Sequence, residues 1–351
     1  MIFCASQAVA LPRLDSSFGI EGIVTTDFGG AYDELEGVAV QSDGTILAVG
    51  TGGSSNRMQV ARYLPNGQLD STLDHDGKLL VPYSASSPAI HALPEGKFLL
   101  GVPDLRSTRG FRAMQYNADG TPDASFGVNG TGFIEVESQV YIRDMLVHPD
   151  GRILIGGYDI FNSDWDFVLT QFTSTGQPDT TFGTNGRVVT NFSREGVSSP
   201  SDNLESLLLL PDGHILAGGH TNTESGSNGD YVHAISKYLP SGLPDTTFGT
   251  NGQQVLRLSN QAYGLEEITD MVLLENGKIL ATSGVSSETV LVRLNPDGSL
   301  DSTFGSGGRI IAPPWRIVER PHRHAAGLPG KDFTRWGQHI FRYSAAFRWY
   351  A

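Results

Sequence analysis

One phrase written six times fixes what this chain can fold into. LDSSFGIEG begins at Leu14, LDSTLDHDG at Leu69, PDASFGVNG at Pro122, PDTTFGTNG at Pro178 and again at Pro244, and LDSTFGSGG at Leu300. Their aspartates, Asp15, Asp70, Asp123, Asp179, Asp245 and Asp301, are spaced by 55, 53, 56, 66 and 56 residues. A period of this length marks a small supersecondary unit that cannot bury its own hydrophobic faces and must stack on its neighbours. The 43 glycines and 18 prolines, with only 18% charged residues, fit a turn-rich globular chain rather than a disordered one.

Each unit reads as four short strands. The first after the phrase follows its last glycine, as in GIVTTDF at Gly22 and GRVVTNF at Gly186. Two more straddle a tight turn, as in VAVQSDGTILAVG at Val38, MLVHPDGRILIGG at Met145, LLLLPDGHILAGG at Leu207 and MVLLENGKILATSG at Met271. The Asp-Gly or Asn-Gly pair suggests a two-residue hairpin loop with both residues at positive φ. The fourth strand alternates apolar and polar residues and ends in Tyr, Phe or Leu, as in MQVARYLPNG at Met58 and HAISKYLPSG at His233. Period-two alternation turns one face of each strand inward, and Gly or Pro interrupts every window long enough for a helix.

Radial stacking of four-stranded sheets is an all-β β-propeller; a linear β-solenoid is the alternative, with rungs usually shorter than this period. Phe18, Phe126, Phe182, Phe248 and Phe304, with Leu73 in the second unit, read as plugs between blades. The six aspartates read as turn caps on the backbone. The combination Asp-x-Ser/Thr-Phe-Gly-x-x-Gly, Pro-Asp-Gly-x-Ile-Leu-x-Gly-Gly and an Arg/Lys/Gln-Tyr/Phe ending resembles the delta-60 repeat of bacterial β-propeller proteins, over about Leu14 to Ile311. The resemblance implies a secreted or surface-associated scaffold for binding, with no established catalytic set and no ligand residue to carry across.

The expected domain covers residues 14–312: an orphan outer strand at Gly22 to Phe28 and then five complete units, an incomplete six-bladed ring. An exposed sheet face on the open side would make the chain marginally stable or prone to aggregate. Residues 1–13 read as the remnant of a signal peptide, with small residues Ala8 and Ala10 as candidate cleavage ends, although a positive leader and a long apolar core are lacking. Residues 313–351 match no part of the repeat. They carry a net charge of +5, leaving −19 for the rest, and hold Trp315, Trp336 and Trp349. A frameshift product explains this composition. Alternatives are an amphipathic membrane-surface helix striped by Phe333, Trp336, Ile340, Tyr343, Phe347 and Tyr350, or a helix docked where a sixth blade would sit.

The formal net charge of −14 argues against a nucleic-acid partner, which needs clustered Lys and Arg. No stretch is apolar for long enough to span a membrane as a helix. The single cysteine, Cys4, forms no internal disulfide. No phosphate-binding loop, nucleophile elbow or His-Glu-x-x-His motif occurs, and no pair of histidines in the repeat region has short zinc-ligand spacing.

Strands that alternate in direction place the hairpin turn and the Asp-x-Ser/Thr-Phe-Gly phrase on one face of the disc, where lengths barely vary. The other face carries the variable loops, including the ten extra residues of the fourth unit, so binding is expected there. Its candidate ligand-binding residues are Asp159, Asp164, Trp165, Asp166, His220, Asp230 and Tyr231, joined by Tyr32, Asp33, Glu34, Tyr141, Tyr158, Asp202, Tyr263, Glu266 and Glu267. Asp159, Asp164, Trp165 and Asp166 are the densest group in sequence. Aromatics beside carboxylates suit a sugar, a cationic peptide or a hard cation. No cofactor is expected, with calcium at the oxygen-rich loops NADGTPD (Asn117) and NPDGSLD (Asn295) as the alternative to turn capping. The resulting expectation is a non-enzymatic propeller, secreted, at the cell surface or in the periplasm, that binds a protein or a glycan. The alternative is an extracellular hydrolase or lyase working on glycans through loop carboxylates.

Overall fold

The computed structural model describes residues 14–30, 32–53, 57–84, 88–104, 110–136, 140–161, 164–193, 200–222, 231–258, 266–285 and 288–312. The expected leader remnant at 1–13 and the basic segment at 313–351 lie outside them. The described chain forms five four-stranded antiparallel sheets. The first holds β1 (Asp33–Val40), β2 (Ile46–Gly52), β3 (Arg57–Tyr63) and β4 (Lys78–Ser84). The second holds β5 (Ala89–Ala92), β6 (Phe98–Asp104), β7 (Gly110–Tyr116) and β8 (Phe133–Val136). The third holds β9 (Val140–Val147), β10 (Ile153–Phe161), β11 (Asp164–Phe172) and β12 (Arg187–Thr190). The fourth holds β13 (Asp202–Leu209), β14 (Ile215–Asn222), β15 (Tyr231–Tyr238) and β16 (Gln253–Leu256). The fifth holds β17 (Glu266–Leu273), β18 (Ile279–Val285), β19 (Glu288–Leu294) and β20 (Arg309–Ala312). Within each sheet the strands lie in chain order. This is the expected all-β β-propeller of four-stranded blades.

Period-two alternation has a use here that it lacks in an isolated sheet, because each strand feeds two interfaces. On β10, Leu154 packs toward the fourth blade while Ile153 and Ile155 pack toward the second. On β14, Ile215 and Ala217 face the third blade and Leu216 the fifth. Four buried clusters result, one for each contact between consecutive blades. The first strand of each following blade packs across these contacts: β5 on β1, β9 on β7 and β5, β13 on β9 and β10, and β17 on β13. Among the described residues no comparable packing joins the fifth blade to the first.

The plugs act across the same interfaces. Leu73, Phe126, Phe182 and Phe248 are at most 1% exposed, whereas Phe304 of the fifth blade is half-buried, with the Arg293 guanidinium over its ring at 4.5 Å. Every repeated aspartate accepts, at Oδ1, the backbone N–H and the hydroxyl of the Ser or Thr two residues on, from Asp15 with Ser17 to Asp301 with Thr303. At Oδ2, five of them take a donor from eight residues upstream: Arg62, Gln115, Gln171, Lys237 or Arg293. The Arg/Lys/Gln of the strand ending is therefore the partner of the phrase that follows it.

Two expectations need correction. The hairpin turn is a three-residue loop: in the first blade Gln41 and Thr45 close it, and of Ser42, Asp43 and Gly44 only Gly44 has positive φ, at 85°. A type I turn followed by one left-handed residue matches strand twist as well as the two-residue loop does. Gly22–Phe28 is not a strand, since no neighbour among the described residues provides a ladder for it. It is nevertheless seated on the first blade as an outer strand is seated on the blade that follows it. Thr26 Oγ1 meets Tyr63 Oη at 2.6 Å, as Thr190 meets Tyr238 at 2.7 Å. Phe28 N–H donates to Asp33 Oδ2, as Phe192 N–H donates to Asp202.

Candidate functional site

The innermost strand of four blades carries a β-bulge. Pairing slips between Leu35 and Gly37 in β1, between Ile142 and Asp144 in β9, between Leu204 and Ser206 in β13, and between Ile268 and Asp270 in β17. The extra residues are Glu36, Arg143, Glu205 and Thr269. Bulges re-aim a side chain out of the strand alternation. The glycine of the neighbouring strand makes this possible in the first, third and fourth blades, because a Cβ at Gly50, Gly157 or Gly219 would run into the carbonyl oxygen of Glu34, Tyr141 or Asn203. The Gly-Gly of the sequence motif thus serves the bulge.

On the variable face, at the inner edge of the third to fifth blades, these strands assemble one polar and aromatic site. Tyr141 stacks on Tyr158 at 5.0 Å and Tyr158 on Trp165 at 5.4 Å, a ladder across β9, β10 and β11. The Arg143 guanidinium lies 5.4 Å from the Tyr158 ring and bridges to Glu205 Oε1 at 3.2 Å. The rings of Tyr231 and His220 meet in a T-shaped pair, centroids 4.9 Å apart. His220 Nδ1 lies 3.6 Å from Glu267 Oε2. That is too long for a hydrogen bond, and among the described residues the buried nitrogen has no hydrogen-bond partner. Burial, with the charges of Arg143 and His233, pushes the His220 pKa down to about 4, so the imidazole is neutral at pH 7.

The residues singled out from sequence divide as strand geometry requires. Trp165, His220 and Tyr231 belong to this site. Asp159 and Asp166, paired across β10 and β11, occupy the opposite side of the sheet from Tyr158 and Trp165. Asp159 is ion-paired with Arg187, and Asp166 accepts from Asn191 Nδ2 at 2.6 Å. Asp164 pairs with Phe161 at the end of the hairpin. Asp230 and Tyr263 lie outside the described residues. Asp33, Asp202 and Glu266, each opening the first strand of a blade, cap a backbone N–H at the end of the preceding unit's outer segment: Phe28, Phe192 and Leu258. Arg143 and Glu205 were missed from sequence. The signal for Glu205 was the match of ELEG at Glu34 with NLES at Asn203, each upstream of a Gly on the neighbouring strand.

Two further features are structural. Ser283 Oγ bonds His233 Nε2, and His233 Nδ1 lies 3.0 Å from Glu266 Oε2, the order of a nucleophile, base and acid relay. All three are at most 1% exposed, so no substrate can reach the hydroxyl, and the relay ties the fourth blade to the fifth. A groove of about 320 Å³ lies near the outer strands β4 and β8, lined by Tyr83, Met114, Tyr116 and Phe133, away from the variable-face site. No helix among the described residues is long and apolar enough to cross a membrane.

The model of the family described as "Domain of unknown function (DUF5122) beta-propeller" matches residues 41–73, 148–182, 210–248 and 274–304. Each match runs from about a hairpin turn to the repeated Asp-x-Ser/Thr phrase, and the chain is a β-propeller protein by these matches and by its sheets. No curated protein matches it. Among solved structures it is similar to a protein of unknown function from Dyadobacter fermentans, with 14% identity, 80% of this chain and 84% of that one covered, and a TM-score of 0.44. It is also similar to Sqt1 from Chaetomium thermophilum, with 14% identity, 75% and 69% covered, and a TM-score of 0.39. An exo-1,5-alpha-L-arabinanase from a bovine ruminal metagenomic library shows 10% identity, 82% and 100% covered, and a TM-score of 0.33.

Proposed function

We propose that this propeller is a non-enzymatic binding scaffold of the delta-60 repeat type, exported to the cell surface or beyond, that takes a glycan on the inner edge of its third to fifth blades. The observation that carries the reading is the ladder of Tyr141, Tyr158 and Trp165 beside Arg143, Glu205 and Glu267. The outer two rings, Tyr141 and Trp165, are half-buried and keep open surface. Aromatic faces accept the C–H side of a sugar ring, and neighbouring charged groups bond its hydroxyls. All of these side chains sit on strands, which pre-organises the site and lowers the ordering cost of binding.

A second reading has its own observation. Oxygens of Glu205 and Glu267 lie within 4.8 Å of each other, near the roughly 5 Å that separates the two carboxyl groups of a retaining glycosidase. A glycan array followed by incubation of each hit with the protein separates the two. Retained glycan that leaves unchanged, with binding reduced in Trp165→Ala, supports the scaffold. Release of reducing ends, lost in Glu267→Gln, supports the enzyme. An array with no signal, beside a protein captured on the same face, would overturn both in favour of a protein partner.

A further inference from the structure

We propose that Glu205, His220 and Glu267 form a binding site for one first-row divalent metal ion, with zinc the best match. The inference does not depend on the glycan reading. Glu205 comes from the β13 bulge, His220 from β14 and Glu267 from β17, three rigid strands of two blades. One donor atom from each lies within 4.8 Å of the other two. An ion held at about 2.0 to 2.2 Å from nitrogen and oxygen donors spaces them by roughly 3 to 4.4 Å. The 3.6 Å between His220 Nδ1 and Glu267 Oε2 already has that spacing, and rotation of the Glu205 side chain, whose donor atom lies within 4.8 Å of the other two, brings in the third ligand.

The independent pointer is the histidine. Its side chain is 6% exposed, and Nδ1 is a buried nitrogen with no hydrogen bond among the described residues, directed at two carboxylates from which it stands too far to donate. Buried polar atoms are rarely left in this state. A cation between the three groups accounts for it, since a neutral imidazole offers Nδ1 a lone pair. One imidazole with two carboxylates is a donor set suited to zinc or manganese rather than to calcium, which takes oxygen alone. The surroundings resemble those of a held ligand set: Arg143 is ion-paired with Glu205 Oε1 and Tyr231 makes a T-shaped contact with the His220 ring, fixing carboxylate and imidazole in place. Arg143 also offsets one of the two negative charges, so the site competes for a divalent ion without the affinity of a bare acidic cluster. Metal ligation would leave neither glutamate available as a glycosidase acid or nucleophile.

The test uses the full chain stripped of metal with a chelator. Zinc is titrated in against a chromophoric competitor, and cobalt(II) is added separately to read its visible absorption. One equivalent of zinc should bind, the cobalt form should show bands of a low-symmetry nitrogen and oxygen site, and the melting temperature should rise on loading. Glu267→Gln and Glu205→Gln should each weaken zinc binding at least 30-fold and abolish the rise in melting temperature, while His148→Gln, at a histidine outside the cluster, should change neither. Zinc binding by the wild type no tighter than by Glu267→Gln would place the metal on other histidines and overturn the proposal. So would a wild-type cobalt spectrum identical to that of the free aquo ion, which needs no variant to fold.

Discussion

The ring of Phe248 lies directly over the α-carbon of Gly298 in the next blade. A Cβ at Gly298 would come within 2.8 Å of the ring, and its φ is +85°. The plug phrase of one unit and the turn glycine of the next are thus two halves of one contact. Gly298→Ala adds overpacking to left-handed strain and should cost about 2 to 4 kcal/mol. Gly277→Ala, at φ +77° with only Pro296 Cγ nearby at 3.9 Å, should cost only about 1 kcal/mol. Urea unfolding of the two variants checks the difference, and equal losses would mean that backbone strain alone sets the cost.

The plugs should not be equivalent. Phe248 is 0% exposed in the core between the fourth and fifth blades, so Phe248→Ala should lose about 3 to 5 kcal/mol. Phe304 has no described blade beyond it and remains half-buried. Its truncation to alanine should cost roughly half as much or less, mostly through loss of the stacked Arg293. Denaturant midpoints that fall equally would show that Phe304 is covered as deeply as Phe248.

Strand positions, plug residues and aspartate caps could be read from the repeat because each depends on local spacing within one unit. Site membership could not. Asp159, Asp164, Trp165 and Asp166 are dense in sequence, but alternate residues of a strand point to opposite faces, and the hairpin sends Trp165 to one side and Asp159 with Asp166 to the other. Arg143 and Glu205 look like ordinary polar strand residues until the bulge register is known. That register is a property of strand pairing, visible in sequence only as a glycine two blades' worth of comparison away. The meeting of His220 with Glu267 crosses an interface between blades and has no local signature at all.

Acid should unfold the propeller through its caps. Burial pushes the Asp245 carboxyl up, but the Thr247 hydroxyl and the Lys237 ammonium outweigh it and bring the pKa down to about 2, below the ordinary 3.9 of an unfolded aspartate. A depressed folded pKa stabilises fully above about pH 4 and is lost as pH falls toward 2. Asp70, Asp123, Asp179 and Asp301 shift the same way. The melting temperature should therefore fall steeply between pH 4 and 2, and Asp245→Asn should show a lower melting temperature at pH 7 with a shallower acid slope. Parallel curves for variant and wild type would mean that Asp245 has the same pKa in both states.

Two residues from the same hairpin should separate stability from binding. Asp159 is 7% exposed and ion-paired with Arg187, and Asp159→Asn weakens that pair inside the blade, so it should lose about 1 to 3 kcal/mol of stability. Because its side chain faces away from the ladder, the affinity for a bound glycan should not change. Trp165 ends the ladder, half-buried, and Trp165→Ala removes a stacking face worth about 1 to 2 kcal/mol to a ligand, a loss of roughly tenfold in affinity, with a smaller effect on unfolding than truncation of a buried plug. Urea titration and glycan binding measured on both variants give a crossed pattern if the variable-face site is where the ligand sits. Binding lost in Asp159→Asn and kept in Trp165→Ala would move the site to the other side of the third blade, toward Arg187 and Asn191.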